Sequence, residues 1–525
     1  MSTSRRQKSH RRAVAKSATS ADVANFDREQ INFDDPPEIP LEPSLDKDTI
    51  KKRTVHGAFS YFLTTLLLNL IALAANFYLS AYLSPEDFGI YGIVMQITGL
   101  LVFFSDVGLA SSLIQKKTDP TDRDYHTIFW TQQLLSWFIL AICLVIMMTG
   151  VLATRFGEVS NLILLAMAIS FPLSTLKTVS SIKLSRQMKY SRIVIPQIFE
   201  QIFYNAVLII MVWQGTGVLA YAYAIIIRSV VGVIAMLFIQ PYLPRFQFDR
   251  QSFRQTIRFG LKFQANDLLA RIKDQFFYMV LGFSLPAAEF GYIAWAKQWS
   301  MYPYNLTVQN VMNITFPTFS RLQDQPQLLR RAIERSLFFI TAIIFPILVG
   351  MCVFIGPLTV VIARFQKWQP ALLTFVLFTL GIAWSAISSP LTNTLNAIGK
   401  INSTLKLMVF WTILTWGLTF PCLWIFGFDG VAIAAFIISC TSLLPAYLVK
   451  KVVSFQLWSN LWRQLLAALV MAVFGLVYIH YWSPNLPNLI LGGALSGLVY
   501  GATLLLVGWK KVKTELLSLR ARKKS

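Results

Sequence analysis

Long apolar runs alternate with short polar connections from Gly57 to Gly508, and the runs are long enough to cross a bilayer as helices. A stretch of roughly 20 apolar residues spans the hydrocarbon core. Only backbone that satisfies its own hydrogen bonds survives there. About fourteen such stretches can be counted, from Gly57–Leu83 to Leu489–Gly508. The pattern predicts an all-α polytopic membrane protein with about fourteen transmembrane helices. No connection exceeds roughly 20 residues, well short of what a soluble catalytic domain needs.

The polar connections differ in charge. Lys116, Lys117 and Arg123 follow the second stretch, Lys183, Arg186, Lys189 and Arg192 the fourth, and Arg245, Arg250, Arg254 and Arg258 the sixth. Arg321, Arg330, Arg331 and Arg335 follow the eighth, Lys400 and Lys406 the tenth, and Lys450, Lys451 and Arg463 the twelfth. The opposite connections, at 84–87, 214–215, 286–289 and 426–429, hold no Lys or Arg; Arg155, Arg364 and Lys367 are the exceptions. Short loops rich in Lys and Arg stay cytoplasmic, so both termini are expected inside. The net charge of +22 is thereby read as a topology signal, and no nucleic-acid partner is expected.

Residues 1–55 open with a basic cluster and turn acidic and Pro-rich near Asp34 to Pro43, a composition that predicts a disordered cytoplasmic tail. Residues 510–525 read as a second, basic cytoplasmic tail. Cys143, Cys352, Cys422 and Cys440 all fall in apolar runs, so no disulfide framework is implied. His10, His56, His126 and His480 are scattered without metal spacing, and no phosphate-binding loop or Ser/His/Asp arrangement can be argued. No cofactor, metal or catalytic residue is expected, and the chain does not read as an enzyme.

An internal repeat appears at an offset of about 202 residues. Leu83-Ser-Pro-Glu-Asp-Phe-Gly89 in the first half meets Leu285-Pro-Ala-Ala-Glu-Phe-Gly291 in the second. The same offset pairs Gln96 with Gln298, and Thr65, Asn69 and Asn76 with Asp267, Arg271 and Tyr278. Six helices per copy is an even number, so the copies share one orientation, an arrangement with the substrate site between the halves. The expected layout is an N-terminal six-helix bundle over 56–240 and a C-terminal one over 241–450, around a central cavity. Two additional helices follow over 451–509, and Gly493, Gly497 and Gly501 in the last would let another helix approach closely, from the same bundle or from a second copy.

Charges inside the bilayer are costly, on the order of 2.5–3.5 kcal/mol at the centre, and tend to mark a functional cavity. Arg228, Arg271 and Lys297 are the buried cations, and Asp106, Asp267 and Asp274 the buried acids. Gln264, Asp267, Arg271, Asp274 and Tyr278 share one helical face, as do Gln298, Tyr302, Asn305, Gln309 and Asn313. Thr65, Asn69, Asn76 and Ser80 form a milder stripe on the first helix. Together these stripes suit the wall of a water-filled lumen. The cations favour an anionic substrate, with Arg matched to diphosphate, while Asn69, Asn76, Gln298 and Asn305 suit sugar hydroxyls. Asp106, Asp267 and Asp274 would couple to protons or Na⁺ or serve as simple countercharges. Asp267 and Arg271 could also neutralise each other as a helical pair, and Arg228 could pair with Asp106. Lys177 and Glu200 read as residues near the cytoplasmic face whose long side chains reach water.

The segments Leu83-Ser-Pro-Glu-Asp-Phe-Gly-Ile-Tyr91, Phe104-Ser-Asp-Val-Gly-Leu109 and Leu113-Ile-Gln115 resemble those of bacterial polysaccharide exporters, the Wzx-type and colanic-acid-type flippases of the MATE-like superfamily. Pro390-Leu-Thr-Asn-Thr-Leu-Asn-Ala-Ile-Gly-Lys400 is similar to their second-half motif. The resemblance covers about residues 55 to 450 and leaves the long polar N-terminal tail outside it. It implies a multi-pass protein of the bacterial inner membrane that carries a polyprenyl-diphosphate-linked oligosaccharide to the outer leaflet for exopolysaccharide, capsule or O-antigen synthesis. Membrane lipids and the polysaccharide polymerase and export machinery would be its other partners. The competing expectation is a MATE-like cation-coupled multidrug antiporter, whose lumen would be dominated by carboxylates. A membrane-embedded glycosyltransferase or polymerase would want a large external loop, which the chain lacks.

Overall fold

A computed structural model describes residues 64, 67–106, 109–116, 119–254, 256, 257 and 271–522. The N-terminal tail expected over 1–55 lies outside the described residues, and so does Asp267. Every described element is helical. Ten helices are long and apolar enough to cross a membrane, so this is a multi-pass membrane protein.

The first half comprises α1 (Leu67–Tyr82), α2 (Pro85–Asp106), α3 (Leu109–Gln115), α4 (Asp122–Met148), α5 (Val151–Phe156), α6 (Glu158–Leu176), α7 (Thr178–Arg186), α8 (Tyr190–Trp213) and α9 (Leu219–Ile239). The second half begins with a π-helical turn, Ile272–Phe276, that runs into α10 (Phe277–Ser284). It continues with α11 (Ala287–Leu306), α12 (Val308–Arg321), α13 (Pro326–Val361), a 3₁₀ segment Ala363–Ala371, α14 (Leu372–Ala397), α15 (Ile401–Phe426), α16 (Asp429–Cys440) and α17 (Leu443–Lys450). The final pair is α18 (Leu457–Tyr481) and α19 (Leu486–Arg522). The last apolar stretch therefore continues as helix well beyond Gly508.

Local chemistry explains several boundaries. Thr121 and Asp124 form a reciprocal capping box at the start of α4, with the Asp124 carboxylate accepting from the Thr121 amide at 2.8 Å. Pro303 in the last turns of α11 cannot donate to the helix, and the chain breaks at Thr307 before α12 resumes.

Apolar packing is distributed unequally between the two ends. One continuous core joins both halves, and it holds Leu83, Phe88, Phe156, Leu285, Phe290, Phe365, Trp368 and Val431, all beside the cation-poor connections. Towards the basic connections the halves keep separate cores. One, with Leu113, Tyr125, Val179 and Tyr242, belongs to the first half. The other, with Phe319, Leu329, Leu395 and Val449, belongs to the second.

The tightest junction between the halves is α2 against α11. A Cβ on Gly89 would lie 1.8 Å from the Ala287 carbonyl oxygen, and one on Gly291 would lie 1.7 Å from that of Pro85. Only glycine permits backbones this close. The two contacts are reciprocal, because Gly89 and Pro85 stand at the same sequence offset from Gly291 and Ala287.

Among the described residues, no helix of the chain packs closely on the small-residue stripe of α19. Nothing lies within 4 Å of a Cβ on Gly493, Gly497 or Gly501. The close approach to α18 is instead made at Gly492, where Tyr478 would meet an added Cβ at 2.4 Å. The pairing face of α19 is therefore rotated off the stripe.

Candidate functional site

The seam between the halves is built from α1, α2, α10 and α11. α1 lies along α11, and the segment leading into α10 lies along α2. On the first pairing, Asn76 on α1 donates to the Tyr302 hydroxyl at 2.5 Å and accepts from the Gln298 amide at 2.7 Å, which brings two of the sequence-predicted polar residues into direct contact. One turn away, the Ser80 hydroxyl accepts from the indoles of Trp295 at 3.1 Å and Trp299 at 3.2 Å. On the second pairing, Arg271 donates to the Gly99 carbonyl at 3.0 Å, immediately before the π-helical turn. π-Turns inside helices concentrate at functional positions because they rotate side chains out of register. Lys297 places its ammonium 3.3 Å from the centroid of the Tyr278 ring, close enough for cation–π attraction.

Arg228 sits on α9 in a second cluster. Its guanidinium lies 3.7 Å from the Glu200 carboxylate and 5.5 Å from the centroid of the Tyr204 ring. Lys177 pairs with the same carboxylate from the other side. Glu200 is buried, and its start is ten residues into α8, about 15 Å along the helix axis. It is thus an interior countercharge, in place of the water-facing residue that its position suggested. Gly232 makes the cluster possible, since a Cβ there would lie 2.0 Å from the Glu200 carboxylate. Tyr91 extends the cluster to α2, with its hydroxyl 3.3 Å from that of Tyr204 and its ring stacked on Tyr221.

The remaining expected residues are more dispersed. Asn69 is half-buried on α1, and Asn305 and Asp274 are exposed. Asp106 closes α2, but its side chain lies outside what is described, as does all of Asp267. Arg228 lies beside Glu200, and its expected pairing with Asp106 falls on a side chain outside what is described. Among the described residues, no group of three or more His, Cys, Asp or Glu side chains could hold a metal.

The cation-poor end of the seam is shut by the 3₁₀ segment. Phe365 and Trp368 are fully buried, Trp368 stacks on Trp295 at 4.7 Å, and its indole donates to the Ser80 carbonyl at 2.8 Å. Lys367 donates to the Ala81 carbonyl at 2.9 Å, and Arg364 lies 3.9 Å from the centroid of the Tyr82 ring. Two of the three cations that break the charge pattern therefore have local partners that fix them at the end of α1. The aromatic plug was not recognisable from the sequence, because aromatic residues are abundant throughout the chain.

Known proteins are similar to this chain in sequence and in fold. The succinoglycan biosynthesis transport protein ExoT of Rhizobium meliloti is 22% identical over 472 residues, covering 85% of this chain and 91% of its own. The lipopolysaccharide biosynthesis protein WzxC of Escherichia coli is 20% identical over 378 residues, covering 70% and 74%. Among solved structures, the lipid II flippase MurJ in an inward closed conformation superposes with a TM-score of 0.70 at 16% identity, over 86% of this chain and 99% of MurJ. An inward-facing MATE multidrug resistance transporter gives 0.56 at 14% identity, over 74% and 95%. Both likenesses are of fold. The sequence pattern of one family, described as polysaccharide biosynthesis protein, matches residues 78–373, which is more than half of the chain. The chain belongs to the polysaccharide biosynthesis protein family.

Proposed function

We propose that this chain is a flippase that moves a polyprenyl-diphosphate-linked oligosaccharide across the bacterial inner membrane by alternating access. The observation that carries the reading is the unequal packing of the two ends. The halves share one core and an aromatic plug where the connections lack Lys and Arg, and they keep separate cores where the connections are basic. With the basic side cytoplasmic, the seam is sealed outwards and free to part inwards, where an incoming lipid-linked substrate would enter. The names of ExoT and WzxC, both proteins of polysaccharide production, support the same substrate class.

In this reading the chain has fourteen helices, two parallel six-helix repeats with both termini cytoplasmic, and no catalytic role. The reciprocal Gly89 and Gly291 contacts support the repeat, since an axis along the membrane normal exchanges them. Arg228, Arg271 and Lys297 bind the diphosphate. Arg228 is best placed for it, being half-exposed beside an anion that two cations already share. Asn69, Asn76, Gln298 and Asn305 take sugar hydroxyls, and Asp106, Asp267 and Asp274 couple ions. The cation-antiporter alternative is disfavoured by Glu200, the buried carboxylate of the second cluster, which Lys177 and Arg228 already neutralise.

The test is transbilayer movement in proteoliposomes holding labelled polyprenyl-diphosphate oligosaccharide, followed with and without ion gradients. Protein-dependent arrival on the opposite leaflet that requires the diphosphate is expected. Gradient-driven uptake of small organic cations with no lipid movement would overturn the proposal.

A further inference from the structure

A second concave site lies outside the seam, on the basic side of the first half. It encloses about 690 Å³ and is lined by Arg123, His126, Lys183, Tyr242, Arg245 and Gln247 among others, with Asp122 as its one acid. Arg123, Lys183 and Arg245 have no ion-pair partner among the described residues. Lys183 is instead held between two rings, 4.8 Å from the centroid of Tyr125 and 4.9 Å from that of Tyr242. Its ammonium is thereby fixed in place without being neutralised.

His126 is buried, and its protonation pattern follows from its partners. The Arg245 amide can only donate, and it reaches Nδ1 at 3.2 Å. The Tyr242 hydroxyl lies 2.6 Å from the same nitrogen. Because Nδ1 already accepts from that amide, the hydroxyl acts as a second donor sharing the same lone pair. Nδ1 is therefore an acceptor, and the ring proton resides on Nε2. Three cations gathered around one cavity, with His126 in its wall, make a receptor for a phosphate group.

The wall of this site is the segment that joins the two halves. Its chain is pinned along α4. Trp130 donates to the Arg245 carbonyl at 2.9 Å, Asp249 donates its amide to Thr127 at 2.9 Å, and Ser252 donates to Asp124 at 2.6 Å. The same segment turns large apolar groups outward. Leu243 is 87% exposed and Phe246 is 88% exposed, with Phe246 stacked on Trp130, and Phe248 is exposed beside them. Apolar and aromatic side chains next to cations form the pattern of a surface seated in the headgroup region of a bilayer.

We propose that this pocket binds the phosphate headgroup of an anionic phospholipid in the leaflet it faces, and that the lipid braces the segment between the halves. The exposed Leu243, Phe246 and Phe248 seat the mouth of the pocket among lipid headgroups, so a lipid phosphate is the occupant favoured over a soluble one. The cytoplasmic assignment of that leaflet rests on the topology proposed above, but the binding itself does not depend on what is transported. An occupied pocket would hold Arg245 and Tyr242 against α4.

Native mass spectrometry of the full chain, titrated with phosphatidylglycerol and with phosphatidylcholine of the same acyl chains, tests the site. The expected result is retention of phosphatidylglycerol over phosphatidylcholine, with the preference lost about tenfold or more in Lys183→Gln/Arg245→Gln. Arg245→Gln alone changes an exposed side chain, should fold normally, and should weaken the preference in part. Lys189→Gln/Arg192→Gln, equally basic but away from the pocket, should leave it intact. Unchanged preference in both pocket variants would overturn the proposal. Saturation by millimolar inorganic phosphate without competition from phosphatidylglycerol would overturn the lipid as occupant. Neither outcome depends on the flippase assay, so a failure here and a failure of the transport reading remain distinguishable.

Discussion

Two helices of similar length, α11 at the seam and α15 at the rim, reverse the rule that soluble proteins follow. α11 carries Glu289, Lys297, Gln298, Ser300 and Asn305 in 20 residues, and it packs against α1, α2 and α14. α15 has one charged residue, Lys406, in 26, yet buries only Leu407, Thr419 and Cys422. Its Trp424 is 90% exposed. Lipid solvates apolar side chains as well as a protein core does, so apolarity marks the outer face and polar groups collect where other helices can satisfy them. In such a chain the polar stripe identifies the interior.

The comparison is broken most severely at the seam backbone. Gly89→Val places its branched carbons against the Ala287 carbonyl, which cannot move without shifting α11. The expected cost is about 3 kcal/mol or more, seen as a lower melting midpoint in detergent together with loss of export. Gly291→Val should behave alike, because its contact is the reciprocal one. If valine at either position melted like the parent, the seam would be looser than its geometry requires.

The second-largest effect is expected at Glu200. Glu200→Gln keeps the shape and removes the charge shared by Lys177 and Arg228. Both cations retain partial access to water, which lowers the penalty from that of a fully buried pair to about 1–3 kcal/mol. A double variant Glu200→Gln/Lys177→Met should recover part of the stability. Restored stability with no recovery of export would assign the remaining defect to Arg228. No recovery of stability would show that Lys177 and Glu200 are not coupled.

The sequence made the membrane class, the polar stripes and the family segment legible, because all three depend on periodicity and local runs. Asn76 and Gln298 were each placed on a polar stripe, but their pairing was not, because the repeat offset matched Asn76 with Tyr278 instead. The Lys177–Glu200–Arg228 cluster was not legible. Its members lie on three helices, and no spacing along one helix predicts which carboxylate a cation will choose. Glu200 was read from its distance to the nearest basic loop, but α8 begins at Tyr190 and carries it deeper. The aromatic plug was hidden for a related reason. Trp295 and Trp368 are 73 positions apart, and only the fold of the 3₁₀ segment stacks them.

A finer probe of the seam is a double-mutant cycle on Asn76→Ala and Gln298→Ala. Interhelical hydrogen bonds in membranes average about 0.6 kcal/mol, because the separated helices also find partners. The coupling between these two should be near that value in thermal or denaturant unfolding. A coupling indistinguishable from zero would mean that the Ala72 carbonyl and the Tyr302 hydroxyl hold Asn76 without Gln298.

The smallest expected effect tests the other side of the comparison. Gly417 lies mid-way along α15, and no atom stands within 4 Å of a Cβ built there. Alanine has the higher helix propensity and meets only lipid, so Gly417→Ala should unfold within about 0.5 kcal/mol of the parent. Export should also be unchanged, since α15 contributes no residue to the seam network described above. A loss approaching that of Gly89→Val would mean that the rim face is covered in the membrane by another helix. The contrast between seam and rim would then hold only for the isolated chain, and the apolarity of α15 would mark a protein contact.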